Sequence, residues 1–134
     1  MSKIILLLIF LPIFTISIDP EAQKAAQLFA RQFVHTTEKW GLNETGEFFT
    51  NDFRYFGTGG KTHELAYFLT LLDDIGVGIF FHGVYYSAFI ELQKLQMLSK
   101  IGNRVYIMEL KKAPYASSKY RLMTVNYYIL SGDK

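Results

Sequence analysis

The chain has 134 residues, a formal net charge of +2 and no cysteine. Half of the residues are hydrophobic and 16% are aromatic, which supplies a packed core and excludes a disordered chain. The lack of cysteine excludes a disulfide framework and a thiolate metal site, so packing alone must stabilise the fold.

The first 17 residues have the pattern of a secretory signal peptide. Lys3 precedes an unbroken apolar run over residues 4–14, and Thr15-Ile16-Ser17 supplies small residues at the two positions that a signal peptidase reads. The run is shorter than the roughly 20 apolar residues that span a bilayer. We therefore predict cleavage after Ser17, a secreted extracellular protein and one domain over residues 18–134.

A long amphipathic helix is predicted to open the mature chain. Asp19, Pro20 and Glu21 provide an N-cap, a first-position proline and an acid in the first turn, and Gly41 provides a C-terminal stop. Between them an apolar stripe recurs at helical spacing, through Ala22, Ala26, Phe29, Phe33, Thr37 and Trp40. We expect Trp40, at the end of the stripe, to be buried.

Asn43-Glu44-Thr45 is an acceptor sequon for N-glycosylation in a polar stretch. In an exported chain we expect Asn43 to carry a glycan. After this stretch a short strand is predicted over residues 52–56, followed by a glycine-rich turn and a second helix that begins with Thr62 as its cap and closes at Gly76.

The second half of the chain is predicted to form strands. Residues 77–91 also fit helical spacing in part, but strands are favoured there. Gly102-Asn103 is suited to a two-residue hairpin that sets Met97 opposite Met108 and Leu98 opposite Ile107. After a loop at residues 113–118, residues 119–130 form a last strand, one side of which is predicted to carry Met123, Val125, Tyr127 and Ile129.

Charge is distributed unevenly between the two halves. Residues 18–93 have a net charge of −5, and residues 94–134 have a net charge of +6. Two interpretations stay open: a basic sheet face that binds an anionic glycan or lipid surface, or lysines that keep a sheet face solvated and its edges unpaired. Nucleic acid is disfavoured as a partner because the chain carries an export signal.

Two helices followed by a curved antiparallel sheet form an α+β arrangement. This order resembles the nuclear-transport-factor-two-like superfamily, in which a cone of N-terminal helices packs on a bent sheet. The resemblance rests on the long first helix, the strand Asp52-Phe53-Arg54-Tyr55, the Gly59-Gly60 pair before the second helix and the closing strands. In particular, the chain looks like the secreted, uncharacterised roundworm members. The resemblance implies a pocket between the first helix and the concave sheet face, and often a dimer across the other face.

Enzymes of this superfamily typically place an acid and a Tyr or His partner inside the cone. In this chain Asp52 and, more remotely, His82 are the only catalytic candidates, and solvated or structural roles compete for both. No catalytic motif or cofactor signature is recognisable, and the histidines lack the spacing of a metal site.

We predict a binding module without a cofactor, for a small apolar ligand or a protein partner, and a small lyase or isomerase is the alternative. The candidate pocket residues, for which plain core packing is the competing role, are Phe33, Trp40, Phe68, Met97, Tyr106 and Met108. A homodimer is expected through the outer sheet face, where Leu98, Val105 and Ile107 form an apolar patch with lysines at its edge.

Overall fold

The computed structural model describes residues 19–112 and 119–130 of the chain. The predicted signal peptide and the predicted loop at residues 113–118 lie outside these residues. The helices are α1 (Pro20–Trp40), α2 (Leu65–Ile75) and α3 (Val77–His82). The strands are β1 (Phe49–Phe56), β2 (Thr62–His63), β3 (Val84–Glu91), β4 (Lys94–Ile101), β5 (Arg104–Lys112) and β6 (Tyr120–Ile129). Among the described residues, no helix is both long enough and apolar enough to cross a membrane.

Helix α1 has the ends that its sequence predicts. The Asp19 side chain accepts a hydrogen bond from the Glu21 amide at 2.9 Å, which satisfies one of the free N–H groups at the helix start. Gly41 adopts a φ of 102°, and its N–H donates to the Thr37 carbonyl. The face that is buried begins at Ala22 and ends at Phe33.

The strands form one six-stranded sheet in the order β2-β1-β6-β5-β4-β3. Only the β1–β6 pair is parallel in the described sheet, so the sheet is mostly antiparallel. The helices cover its concave face and the hydrophobic core lies between the two layers. The α+β cone predicted from the sequence is confirmed.

The hairpin of β4 and β5 has the predicted register. Met97 lies opposite Met108, and Leu98 lies opposite Ile107. Both methionines are buried, so the face predicted to meet the core does meet it. Gly102 in the turn has a φ of 63°, a conformation that the side chain of another residue would disfavour.

Strand β6 differs from the prediction at one position. The pairing with β5 shifts where Glu109 lies opposite Thr124 and the next residue, Leu110, lies opposite Leu122. Met123 is therefore an extra residue in the ladder, and Leu122 is fully buried in its place. The strict alternation predicted for Met123 and Val125 is wrong because of this bulge.

Two local predictions around α2 and α3 are also wrong. Thr62 does not cap α2, because Thr62 and His63 pair with β1 as the short strand β2 and the residue before α2 is Glu64. Residues 77–82 form helix α3, and the strand begins only at Val84. Phe80 and Phe81 are both buried in this helix, so this short apolar run packs into the core as a helix and not as a strand.

Candidate functional site

The interior of the cone, where the fold resemblance implies a pocket, is occupied by phenylalanine rings. Phe33 of α1 lies at its centre, with its ring centroid 4.9 Å from that of Phe81 and 5.2 Å from that of Phe48. The rings of Phe49 and Phe29 follow at 5.8 Å and 6.1 Å. These separations are those of rings in direct contact, several of them edge to face.

The ring packing continues from α2 across α3 to the sheet. Phe68 lies 5.4 Å from Phe53 and 5.9 Å from Phe80, measured between ring centroids. Phe80 in turn lies 5.1 Å from both Phe81 and Tyr106. Side chains from α1, β1, α2, α3 and β5 thus meet inside the cone and fill it.

Five of the six residues predicted to line a pocket lie in this core. They are Phe33, Phe68, Met97, Tyr106 and Met108, which are almost completely buried. Their neighbours are other core side chains. Their role as ligand contacts stays a prediction, and their packing is that of a core.

The predicted burial of Trp40 is wrong, because 66% of this residue is exposed. It lies on the same side of α1 as Phe33, seven residues further on, but Phe33 is the last buried residue of the helix. Trp40 therefore lies about 10 Å along the helix axis beyond this last buried residue. The Lys39 ammonium lies 5.3 Å from the centre of the indole ring. Trp40 is thus a surface residue.

The two catalytic candidates lie at the surface. Asp52 is exposed on β1, and His82 is exposed at the end of α3. Arg54 forms no ion pair with Asp52, and its Nη1 donates to the Phe53 carbonyl at 2.7 Å. Among the described residues, the buried polar side chains are Thr45, Ser87 and Ser99, so no carboxylate or imidazole is enclosed in the cone.

A cluster of tyrosines and a histidine that was not predicted from the sequence lies where β2 and α2 meet the rest of the sheet. His63 stacks on Tyr67 with ring centroids 3.8 Å apart, and Tyr55 lies 5.5 Å from Tyr67. Tyr106 and Tyr127, on neighbouring strands, are 5.3 Å apart. The signal in the sequence was the alternation of Phe53 and Tyr55 with the polar residues Asp52 and Arg54 in β1, which marks the inward side of the strand.

Two hydroxyls of this cluster, those of Tyr55 and Tyr106, are held in their neutral form. Burial raises the pKa of Tyr55 above its ordinary value, and the nearby Tyr106 hydroxyl adds to the rise. Burial also raises the pKa of Tyr106, while a side-chain hydrogen bond with Arg104 acts in the opposite direction. Neutral phenols donate hydrogen bonds, and no carboxylate is among the groups that shift these two pKa values.

The outer face of the sheet carries a continuous apolar stripe. We call it the outer stripe: Tyr86, Leu98, Val105, Ile107 and Tyr128. Tyr86 lies opposite Leu98, Leu98 opposite Ile107, and Val105 opposite Tyr128, so the stripe crosses β3, β4, β5 and β6. Val105 is buried, Leu98 and Ile107 are half-buried, and the two tyrosines at its ends are about 40% exposed.

Open space is found at the surface. A depression of about 180 Å³ lies beside α1, with Leu28, Gln32 and Glu47 on one side and Tyr120 and Arg121 on the other. None of the six predicted pocket residues lines it. In the part of the chain that the structure describes, no group of three or more His, Asp or Glu residues is placed to hold a metal ion.

Comparison with known proteins gives structural likeness only. No family model matches the sequence, and neither does any curated protein. An NTF2-like protein with a cystatin-like fold from Novosphingobium aromaticivorans is similar over 84% of both chains, with 11% identity and a TM-score of 0.50. A domain of unknown function from Nostoc punctiforme has 11% identity and a TM-score of 0.51 over 83% of this chain and 78% of its own.

A conserved protein from Planctomyces limnophilus also has a TM-score of 0.51, with 9% identity over 83% of this chain and 99% of its own. Identities this low extend to the fold and not to an activity. The chain therefore has the nuclear-transport-factor-two-like fold that its sequence resembles.

Proposed function

We propose that this protein is a secreted, non-catalytic binding module that binds through its surface, and that its first partner is a second copy of itself. The observation that carries the proposal is the filled interior of the cone. Phe33 and its neighbouring rings occupy the space in which a small ligand would otherwise sit. A binding role must then use the outside of the molecule.

The alternative, acid–base catalysis by a small lyase or isomerase, has less support. Asp52 and His82 are exposed, and neither is enclosed with an apolar substrate site. The Tyr55–Tyr106 cluster supplies neutral hydrogen-bond donors but no neighbouring carboxylate to remove a proton. A positioned base is the element that such a reaction needs.

The outer stripe favours a homodimer. Half-buried Leu98 and Ile107 lie at its centre, and a twofold contact would pair this stripe with itself. A standard protein–protein interface buries roughly 800 Å² of each partner. That is about a tenth of the solvent-accessible surface of this chain, which is 8026 Å². Lys94 and Lys100 lie at the two ends of β4, where long side chains extend to a solvated rim.

A charge at the centre of the stripe tests this dimer. We expect the wild-type protein to sediment as a dimer at high micromolar concentration and Ile107→Glu to sediment as a folded monomer. The matched control is Ile79→Glu, because Ile79 is 61% exposed on α3, away from the outer face. Ile79→Glu should remain a dimer, whereas a monomeric wild type would contradict the proposal.

A search for a bound ligand separates surface binding from a cone pocket. The protein purified from its own secretion medium is measured by native mass spectrometry before and after denaturation. We expect the mass of the protein and its glycan only. A stoichiometric apolar compound that is released on unfolding would place a ligand among residues such as Phe33 and Met108, and would overturn the surface role.

A further inference from the structure

One corner of the sheet exposes an apolar hairpin tip to solvent. Strands β3 and β4 are joined by the two-residue turn Leu92-Gln93. Leu92 is 94% exposed, and Phe89 and Ile90 beside it are each 40% exposed. We call residues 89–93 the hairpin tip. Two-residue turns usually carry Gly, Asn or Asp, so leucine at this position is not explained by turn geometry.

A row of three cations lies next to the hairpin tip. Lys94 of β4 lies directly opposite Lys111 of β5, and Lys111 lies directly opposite Arg121 of β6. We call these three residues the cation row. Neighbouring strands are about 4.8 Å apart, so the row spans about 10 Å. Like charges that face each other across strands destabilise a sheet.

Among the described residues, an ion pair compensates this repulsion at one end of the row. The Lys94 ammonium lies 3.6 Å from the Glu91 carboxylate. Lys111 and Arg121 line a surface depression of about 310 Å³ that also includes Asp52. Within the described residues, however, neither Lys111 nor Arg121 forms an ion pair. A bound anion would relieve the remaining repulsion between the Lys111 and Arg121 cations.

Two further charged residues near this corner, Lys112 and Glu109, do not cancel the row. Lys112 follows Lys111 at the end of β5, and its ammonium lies 6.0 Å from the centre of the Tyr120 ring. Glu109, which faces the same side of the sheet as Lys111, comes two residues before it in β5, about 7 Å away along the strand. The acid therefore lies inward of the row, and the cations lie at the end of the sheet.

We propose that this corner docks on the surface of an anionic lipid bilayer, with the hairpin tip inserted between headgroups and the cation row against lipid phosphates. A bilayer uses both features, because it offers an apolar interior below a negatively charged surface. A sulfated glycan would use the cations and leave Leu92 in water. The exposed leucine is thus the observation that selects a lipid.

The corner can be occupied in the monomer and in the proposed dimer. Lys94 and Leu98 are four residues apart on β4, which places the cation row about 13 Å from the centre of the outer stripe. Docking at the end of the strands therefore does not cover the stripe. Failure of the dimer would leave the lipid contact untouched, and the reverse also holds.

Vesicle flotation tests the electrostatic part. The purified protein should float with phosphatidylcholine vesicles that contain phosphatidylserine at a mole fraction of about 0.3. It should not float with vesicles of pure phosphatidylcholine. Each cation near an anionic surface contributes about a fivefold gain in partitioning, so Lys111→Gln with Arg121→Gln should weaken it roughly 30-fold. The matched control, Lys39→Gln with Lys61→Gln, removes two exposed lysines elsewhere and should bind like wild type.

Leu92 provides the second part of the test. Leu92→Ser should weaken vesicle binding about tenfold, whereas Ile129→Ser, at a residue 56% exposed at the opposite end of the sheet, should not. Because the chain has no cysteine, an environment-sensitive dye can be placed at Leu92→Cys or at Ile129→Cys. Its emission should shift to the blue on anionic vesicles only at position 92.

Three results would overturn the lipid contact. The first is no flotation with anionic vesicles. The second is vesicle binding that depends on the cation row but neither changes in Leu92→Ser nor shifts the dye. The third is heparin binding that persists at salt concentrations at which the vesicles are released, and that is lost in Lys111→Gln with Arg121→Gln. That result would assign the cation row to a sulfated glycan.

Discussion

Replacing Phe33 and Trp40 by alanine in separate variants tests the packing of α1. The two residues are seven positions apart on one side of the helix, so sequence periodicity treats them alike. In the structure Phe33 is fully buried among four rings, whereas Trp40 is 66% exposed. The two substitutions should therefore have very different costs.

The expected magnitudes follow from burial. Phe33→Ala removes a ring whose place no neighbour can fill without moving, and such changes typically lower the free energy of unfolding by about 3–5 kcal/mol. Trp40→Ala removes a partly solvated indole and its contact with the Lys39 ammonium, which is worth about 0.5–1 kcal/mol at an exposed site. Small domains have a total stability of about 5–15 kcal/mol, so the first change is severe and the second is not.

Urea denaturation followed by far-ultraviolet circular dichroism measures both costs. Protein from bacterial cytoplasm avoids any contribution from a glycan at Asn43. If Phe33→Ala does not fold, Phe33→Leu, which keeps most of the apolar volume, gives a smaller loss that is still measurable. Equal losses for Trp40→Ala and Phe33→Ala would show that the last turns of α1 are packed, and would refute this account of the helix.

Three further outcomes are expected. In a secreting animal cell the mature chain should begin at Ile18. Its mass should include a glycan that a glycosidase removes; Asn43→Gln should lack this glycan, whereas the control Thr45→Ser, which keeps the sequon, should retain it. The pKa of Tyr55 is raised on folding, so its contribution to stability is complete below the unfolded pKa of about 10 and is lost as pH rises towards the folded value. Wild type should therefore lose more stability between pH 8 and pH 11 than Tyr55→Phe, as measured by urea midpoints at the two pH values; equal losses would contradict the burial of this hydroxyl. Gly83→Ala should destabilise the protein by more than Gly78→Ala. A Cβ at position 83 would lie 2.9 Å from the Lys100 carbonyl oxygen, whereas a Cβ at position 78 would have no atom from outside its own helix within 4 Å.

Features set by neighbours in the sequence were predictable. The bounds of α1 follow from Asp19, Pro20 and Gly41, which act within one turn of the helix end. The β4–β5 register follows from Gly102-Asn103, because a two-residue turn fixes every later pair. These local signals, in the order in which they occur, were also sufficient to identify the fold.

Features set by distant parts of the chain were not predictable. Helical spacing gives the direction of Trp40 but not the point at which the core under α1 ends. Met123 follows the period-two pattern, and only its pairing with β5 reveals the bulge that turns Leu122 inward. The cluster around Tyr55, His63 and Tyr127 joins three separate elements, so the alternation in β1 indicates the inward side of Tyr55 but not which residues it meets.

The phenylalanine content explains why this cone is filled. Ten phenylalanines lie in the described part of the chain. Eight of them are buried in the core, and the other two are Phe56 and Phe89. Opening a space the size of one ring would cost about 3–5 kcal/mol, and two such spaces would consume most of the stability of a small domain. No disulfide is present to offset such a loss. A ligand in the cone would therefore require α1 to move away from the sheet, which would expose the Phe33 cluster and increase hydrogen exchange along that helix. The proposed contacts, at Ile107 in the centre of the outer stripe and at Leu92 in the hairpin tip, would bind a partner without this cost.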